Sequence, residues 1–155
     1  MGAGTQDQEP YPGPMRRGAT LIELVLVLAV IGILTAIAEP RVRAFTDGLA
    51  VNQAALEIVS AHRRARISAI LQSRIVELTI SASGLSLRPR GAAADTWRAA
   101  GPAAASVTLA GPSRVITFSP VGISIGLSNA SFRLSRGAAS RTVVVSRLGR
   151  VRIVP

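Results

Sequence analysis

The sequence predicts an α+β fold in which one long N-terminal α-helix packs on a domain of antiparallel β-sheet. The first observation is a run of 20 residues, Ala19 to Ala38, that carries a single charge, Glu23. The second is that apolar residues at helical spacing continue the helix to about Gln72. The third is that short alternating segments separated by turn signals begin at Ser73 and continue to the end of the chain.

The composition restricts how this fold is stabilised. The chain has 155 residues, no cysteine and only 3% aromatic residues, so Val, Ile, Leu and Ala must build the core without disulfides. Its net charge is +10, and all 18 basic residues are arginines. Ten of them lie after Thr79, against one acid, Asp95. Such a domain favours an anionic partner (nucleic acid, lipid headgroups or an acidic protein), and a merely solvated surface is the alternative.

The first part of the chain combines a polar leader with an apolar segment. Residues 1–14 are rich in Gly, Pro and Gln and are predicted to be unstructured, and the basic and small residues 15–18 follow. The apolar run has the ~20 residues that an α-helix needs to cross a bilayer. A cleaved signal peptide or a plain anchor explains its length but not Glu23. A carboxylate costs about 2.5–3.5 kcal/mol at the centre of a spanning helix and somewhat less toward an end, where Glu23 lies, and such a carboxylate usually has a function. Pro40 closes the run and is expected to kink the helix.

The second half of the helix is predicted to be amphipathic. Its apolar residues lie on one stripe, which we expect to pack on the sheet. The stripe consists of Phe45, Leu49, Leu56, Val59, Ile67 and Ile70.

The β-domain is predicted from alternation and turns. Val76, Leu78 and Ile80 share one face of a strand, and the turn at Ser83-Gly84 leads into an answering strand around Leu85 to form a hairpin. A loop with at most one short strand, around Trp97, is expected next. Further strands are expected at 107–109, 114–118, 123–125, 131–134, 142–147 and 150–154.

The sequence offers no complete catalytic or metal-binding set. Gly122-Ile123-Ser124-Ile125-Gly126 matches the G-x-S-x-G pattern, but it lies in β-type sequence, whereas the nucleophile elbow requires a strand, a turn and a helix. The single histidine, His62, precedes this serine, so the order of a hydrolase triad is not met. One histidine without cysteine does not suggest a metal site. We therefore expect no enzymatic activity, no cofactor and no metal.

Arginines near the C-terminus are the remaining candidates for binding. Arg147, Arg150 and Arg152 flank the final turn, and the last two share a face because they are two apart on a strand. Arg141 is expected nearby on the paired strand. Arginines on one face can neutralise phosphates or meet an acidic partner, and a solvated hairpin is the alternative.

The segment Gly18-Ala19-Thr20-Leu21-Ile22-Glu23 resembles the processing site of type IV prepilins and type II secretion pseudopilins. The resemblance implies cleavage between Gly18 and Ala19 by a prepilin peptidase and N-methylation of Ala19, although most members have Phe or Met there. It also implies that Glu23 serves filament assembly by meeting the N-terminal amine of a neighbouring subunit. Many pilins carry a proline at the position of Pro40.

Three later elements are similar to the GspH/FimT branch of minor pseudopilins. They are 65–69 (Ala-Arg-Ile-Ser-Ala), 116–122 and the closing 142–152. The resemblance implies a pilin-like fold with four parts: a leader over 1–18, a transmembrane and filament-core half-helix over 19–40, an amphipathic half-helix over 41–72 and a periplasmic β-domain over 73–155.

The expected function follows from that resemblance. It implies a minor pseudopilin of a type II secretion system, with one pass through the inner membrane, which joins a short periplasmic filament that drives export of folded proteins. Its partners would be prepilin peptidase, other major and minor pseudopilins, the inner-membrane assembly platform and membrane lipid. The alternative is a DNA-binding minor pilin of a type IV pilus that acts in natural transformation, because Gly149-Arg150-Val151-Arg152 resembles the Gly-Arg-x-Arg motif of FimT-type proteins. A third interpretation is an anchored periplasmic enzyme, but the sequence contains no set of catalytic residues for one.

Overall fold

The computed structural model describes residues 20–126, 129–146 and 149–155. One α-helix, α1 (Leu21–Leu71), is followed by nine short strands, as the sequence predicts. The chain divides into two compact units, residues 1–39 and 40–155. In the first unit, the described residues are the start of α1 and are exposed throughout. The second unit contains the rest of α1 and all the strands.

Local chemistry fixes both ends of α1. At its start, the hydroxyl of Thr20 accepts a hydrogen bond from the Glu23 N–H at 3.3 Å, which is an N-cap. At its end, Ser73 takes the left-handed conformation (φ 47°). The N–H groups of Ser73 and Arg74 then donate to the carbonyls of Ile70 and Ala69, both at 3.2 Å, in a Schellman motif. The helix continues through Pro40, so the predicted kink stays a prediction.

The strands form two antiparallel sheets. Five strands make the first sheet in the order β3-β2-β1-β5-β6, and four make the second in the order β4-β7-β8-β9. The strands are β1 (Val76–Ile80), β2 (Gly84–Pro89), β3 (Trp97–Ala100), β4 (Thr108–Ala110), β5 (Arg114–Phe118), β6 (Ser124–Ile125), β7 (Ala130–Arg136), β8 (Ala139–Val145) and β9 (Val151–Val154). A short 3₁₀ turn, Pro102–Ala105, precedes β4.

The register of the first sheet confirms the predicted hairpin. Leu78 at the centre of β1 lies between Leu87 on β2 and Ile116 on β5. Val76, Leu78 and Ile80 are all fully buried, whereas the residues between them are half-buried. The alternation therefore follows from one face of β1 lying in the core.

The division of the strands into two sheets was not predicted from the sequence. The segments on either side of Gly111-Pro112 were each predicted as strands, and they lie in different sheets. β4 pairs with β7, with Leu109 opposite Leu134, whereas β5 pairs with β1. Gly111 makes this change of sheet possible because its φ of 94° is one that glycine adopts without strain.

The helix face that enters the core differs from the predicted one. Of the predicted stripe only Val59 is buried, while Phe45 and Ile67 are 67% and 55% exposed. The core-facing residues of α1 are Val51, Ala54, Ala55, Ile58, Val59, Ala61, His62, Ala65 and Ala69. Five of these are alanines. The predicted stripe was wrong because it counted large apolar residues and left alanine out.

Candidate functional site

The last hairpin positions two of the predicted arginines. The N–H of Ser146 donates to the carbonyl of Arg150 at 2.8 Å, and the N–H of Gly149 donates to the carbonyl of Ser146 at 3.0 Å. Gly149 has a φ of 70°, a left-handed conformation that favours glycine. The hydroxyl of Ser146 also accepts a hydrogen bond from the N–H of Arg150 at 3.2 Å. These bonds hold Arg150 at the entrance to β9, and Arg152 follows within that strand.

Arg150 and Arg152 line a groove of about 620 Å³ between α1 and the last hairpin. The helix contributes His62, Arg63 and Arg66 to the same groove. The remaining lining residues are Val144, Ser146, Gly149 and Val151. We call this feature the basic groove, because four guanidinium groups from two distant parts of the chain converge on it.

The helical half of the basic groove was not predicted from the sequence. Arg63 and Arg66 are three residues apart, a spacing that places them on one helix face. That spacing was a usable signal for a basic helix face. Their meeting with Arg150 and Arg152 depends on how α1 packs against β8 and β9, which spacing along the chain does not show.

Arg141 lies on β8, the strand that pairs with β9, as expected, but it does not join the groove. Arg152 pairs with Val144, and side chains alternate between the faces of a strand. Arg141 is three residues from Val144 and therefore lies on the opposite face of β8. Its guanidinium donates to the carbonyl of Ser140 at 2.9 Å. Arg147 falls outside the described residues.

His62 is a buried polar side chain beside the groove. It is 1% exposed, and its ring meets that of Phe118 edge to face, with centroids 5.0 Å apart. Within residues 20–126, 129–146 and 149–155, neither ring nitrogen has a hydrogen-bond partner. Burial, then the positive charges of Arg66 and Arg63, lower the pKa of His62 to about 4. The imidazole is therefore neutral at neutral pH.

Ion pairs elsewhere occupy three acids of the β-domain and of the second half of α1. Asp47 pairs with Arg136 at 2.9 Å, Glu77 with Arg90 at 3.2 Å, and Asp95 with Arg98 at 2.7 Å. In the part of the chain that the structure describes, none of the four arginines of the basic groove pairs with a carboxylate. The groove therefore carries uncompensated positive charge.

The N-terminal motif lies partly in the described residues. Glu23 is exposed in the first turn of α1, whereas Gly18 and Ala19 lie outside the described residues. The helix is long and apolar enough to cross a membrane, and none of its most apolar 18-residue window is buried. Its exposed apolar residues include Leu21, Ile22, Leu24 and Val25. An apolar surface of this extent indicates contact with lipid or with other subunits.

The serine-hydrolase pattern lacks its structural context. Ser124 is 8% exposed in β6, a strand of two residues. Among the described residues the next element is β7 rather than a helix. The nucleophile elbow needs a helix directly after the serine. The absence of enzymatic activity stays a prediction.

Two family models match the chain. The one described as type II transport protein GspH matches residues 54–149, more than half of the chain. The one described as the prokaryotic N-terminal methylation motif matches residues 14–38. The first covers most of the β-domain together with the core-facing end of α1, and the second covers the processing motif and the apolar run.

Individual relatives are also pilin-like. The chain is 39% identical over 69 residues to the pilin-like protein PilA1 of Thermus thermophilus and 48% identical over 59 residues to a fimbrial protein of Pseudomonas aeruginosa. These alignments span 44% and 38% of this chain, and 43% and 38% of those relatives. Two crystal structures of the type IV minor pilin FimU of Pseudomonas aeruginosa are similar in fold, with TM-scores of 0.58 and 0.54 at 24% and 22% identity. They cover 72% and 67% of this chain, and it covers 92% of each.

Proposed function

Because the chain belongs to the family of type II transport protein GspH, we propose that it is a minor pseudopilin of a type II secretion system. The observation that carries the proposal is that one chain combines the GspH match with the N-terminal methylation motif. The β-domain would then face the periplasm as part of a short filament that drives export of folded proteins. Exposure of the whole apolar start of α1 supports this, because a filament or a bilayer would cover it.

The proposed processing site lies at Gly18 and Ala19. A prepilin peptidase would cut between them and remove residues 1–18, and Ala19 would become the methylated N-terminus. The new first residue would then lie directly before the Thr20 cap of α1. Residues 19–40 would anchor the chain in the inner membrane by a single pass and later pack in the filament, and 41–72 would continue the helix to the β-domain at 73–155.

Assembly is proposed to depend on Glu23. Its exposed carboxylate lies four residues after the proposed N-terminus. The positive N-terminal amine of a neighbouring subunit would offset its charge inside an apolar filament. The proposed partners are therefore prepilin peptidase, the other pseudopilins, the assembly platform and inner-membrane lipid.

The test compares Glu23→Val with Glu57→Val, which removes an exposed carboxylate from the same helix. We expect both variants to be cleaved and inserted, and only Glu23→Val to be lost from sheared filaments. Gly18→Val should retain the uncleaved size on a gel, because the peptidase needs a small residue before the cut. Normal incorporation of Glu23→Val into filaments would contradict the assembly role.

A second candidate function is DNA capture by a type IV minor pilin. The observation that favours it is the basic groove, since Arg150 and Arg152 are joined there by Arg63 and Arg66. Guanidinium groups on one surface can neutralise adjacent phosphates. This candidate shares the fold and the processing site with the first and differs in what the arginines bind.

A further inference from the structure

We propose that the basic groove and the apolar residues beside it form a docking surface for an acidic segment of a different protein subunit. A carboxylate of the partner would enter the groove, and apolar side chains next to that carboxylate would cover the rim. The rim consists of Ile70, Val121 and Ile123. The proposal rests on the proposed function only in taking the partner to be a subunit of the same assembly.

The positive charge of the groove favours a carboxylate as its ligand. Arg63, Arg66, Arg150 and Arg152 are exposed, and within the described ranges none has a carboxylate partner. Other arginines of the β-domain do pair, as Arg136 does with Asp47. Guanidinium groups bind carboxylates through two parallel hydrogen bonds, which adds geometric specificity to charge. A carboxylate therefore suits the groove, and none of the carboxylates in residues 20–126, 129–146 and 149–155 pairs with its arginines.

The buried ring of His62 also favours a hydrogen-bonding ligand in the groove. It lines the groove, is 1% exposed, and has two ring nitrogens without partners among the described residues. A neutral imidazole carries one N–H donor and one acceptor nitrogen. Buried donors are rarely left unpaired, because each costs the free energy of its lost hydration. A carboxylate oxygen in the groove would give that donor an acceptor.

The apolar rim lies beside the groove, as the surroundings of two glycines show. A β-carbon built on Gly122 would lie 2.7 Å from Cδ1 of Ile70 and 3.2 Å from Nε of Arg66. One built on Gly149 would lie 3.6 Å from the carbonyl oxygen of Gly122. The turn at Gly122 therefore borders the groove on the side of Ile70. Its neighbours Val121 and Ile123 are 72% and 51% exposed, and Ile70 is 45% exposed.

These apolar neighbours favour a protein over a nucleic acid. Protein interfaces combine an apolar centre with arginine, whereas phosphate contacts make no use of exposed Val and Ile. A second copy of this chain is disfavoured because each copy carries a net charge of +10, and two strongly basic chains repel each other. The groove volume of about 620 Å³ lies in the range of sites that enclose a small ligand. One or two acidic side chains of a partner therefore match the surface.

The test uses the full chain in micelles of a nonionic detergent, with histidine labelled for NMR. His62 is the single histidine, so its ring signals report on the groove without ambiguity. The probe is a capped Leu-Glu-Ile-Glu-Leu peptide, and its control is the same peptide with glutamine in place of glutamate. We expect a saturable shift of the His62 signals with the acidic peptide and none with the control peptide.

Three double variants locate the binding. Arg66→Ala with Arg150→Ala should weaken peptide binding at least about ten-fold, since two charge-assisted contacts are lost. Arg114→Ala with Arg133→Ala removes the same charge from exposed strand positions and should change the affinity less than about two-fold. Val121→Ser with Ile123→Ser should weaken binding of the peptide but not the response of His62 to inorganic phosphate. An unchanged circular dichroism spectrum and thermal melt of each free variant would exclude misfolding.

Three results would overturn the proposal. The first is equal binding of the glutamine peptide, and the second is equal loss in both arginine variants. The third is a His62 shift with a 20-base-pair duplex DNA and none with the acidic peptide, which would assign the groove to phosphate. Failure of the proposed function would appear elsewhere, as normal filament incorporation of Glu23→Val, so the two failures are distinguishable.

Discussion

His62 lies both in the core and beside the arginines of the groove, so its protonation affects the stability of the fold. It lies on the core-facing side of α1 among alanines, a position that is usually occupied by an apolar residue. Its contact with Phe118 accounts for the packing of the ring but not for its two nitrogens. Arg63 and Arg66 add positive charge beside it, so protonation is opposed by both burial and repulsion.

The pH dependence of stability follows from this lowered pKa. The pKa of His62 is about 4 in the folded chain, whereas it has its ordinary value of 6.5 in the unfolded chain. His62 therefore contributes stability above pH 6.5 that is lost as the pH falls toward 4. We expect the free energy of unfolding to fall by about 2 kcal/mol between pH 7 and pH 5 through this residue alone. Denaturant melts of the full chain in micelles measure it.

The control for this prediction is His62→Leu, which removes the titrating group and keeps a similar volume. Its stability should vary much less over the same pH range, whatever its absolute value. A wild-type chain whose stability changes no more than that of the variant would show that His62 is not held neutral.

At the scale of the element, α1 carries two apolar faces with different uses. Its alanine-rich face enters the core, and residues such as Phe45, Leu49 and Ile67 stay exposed. Large exposed apolar residues on the second face suit contact with other subunits, whereas small ones suit close packing on strands. Periodicity predicted the length of α1 correctly because both faces repeat at helical spacing. It could not tell which face packs inside, since that depends on the space the strands leave.

Two glycines of the second unit test how tightly its elements pack. A β-carbon at Gly101 would lie 2.4 Å from the carbonyl oxygen of Ala82 and from the backbone nitrogen of Gly84. The φ of Gly101 is −86°, which any residue can adopt, so space alone requires glycine there. Gly101→Ala should lower the free energy of unfolding by about 2 kcal/mol or more, through overpacking against backbone.

Gly48→Ala is the matched substitution with the opposite expected sign. Gly48 lies inside α1, and no atom lies within 4 Å of an added β-carbon. Alanine should raise the free energy of unfolding by about 0.5–1 kcal/mol, because it favours the helical backbone. Thermal melts followed by circular dichroism would compare the two variants. Equal effects of one sign would mean that the backbone contacts at Gly101 do not limit packing.

At the scale of the whole molecule, local sequence signals predict the helix and the strands but not how these elements pack and pair. The hairpin of β1 and β2 joins neighbouring segments, so a turn and two alternating runs predicted it. The second sheet requires Leu109 to reach Leu134, and no local pattern encodes such a pairing. The basic groove also depends on a long-range contact. Arg150 and Arg152 form a motif in the sequence, whereas Arg66 joins them only because of how α1 packs. Function at this site therefore combines a motif with a contact that topology creates.

The two candidate functions predict different behaviour toward DNA. With a net charge of +10, the full chain in nonionic micelles should bind duplex DNA at low salt whichever function is correct. Trp97 offers little stacking surface for bases, because the guanidinium of Arg64 lies 5.1 Å from its ring centre. Binding should therefore be led by phosphate contacts and be nearly independent of sequence.

For a secretion pseudopilin, we expect this binding to fall by orders of magnitude between about 50 and 200 mM salt. Arg150→Ala with Arg152→Ala should then weaken it no more than Arg114→Ala with Arg133→Ala, because diffuse charge does not depend on position. Fluorescence anisotropy across a salt series measures both the affinity and its salt slope. Binding that persists at physiological salt, and that the first pair abolishes while the second does not, would instead assign the groove to DNA capture. Since each phosphate contact contributes about 0.9 to the salt slope, loss of two specific contacts would lower that slope by about two.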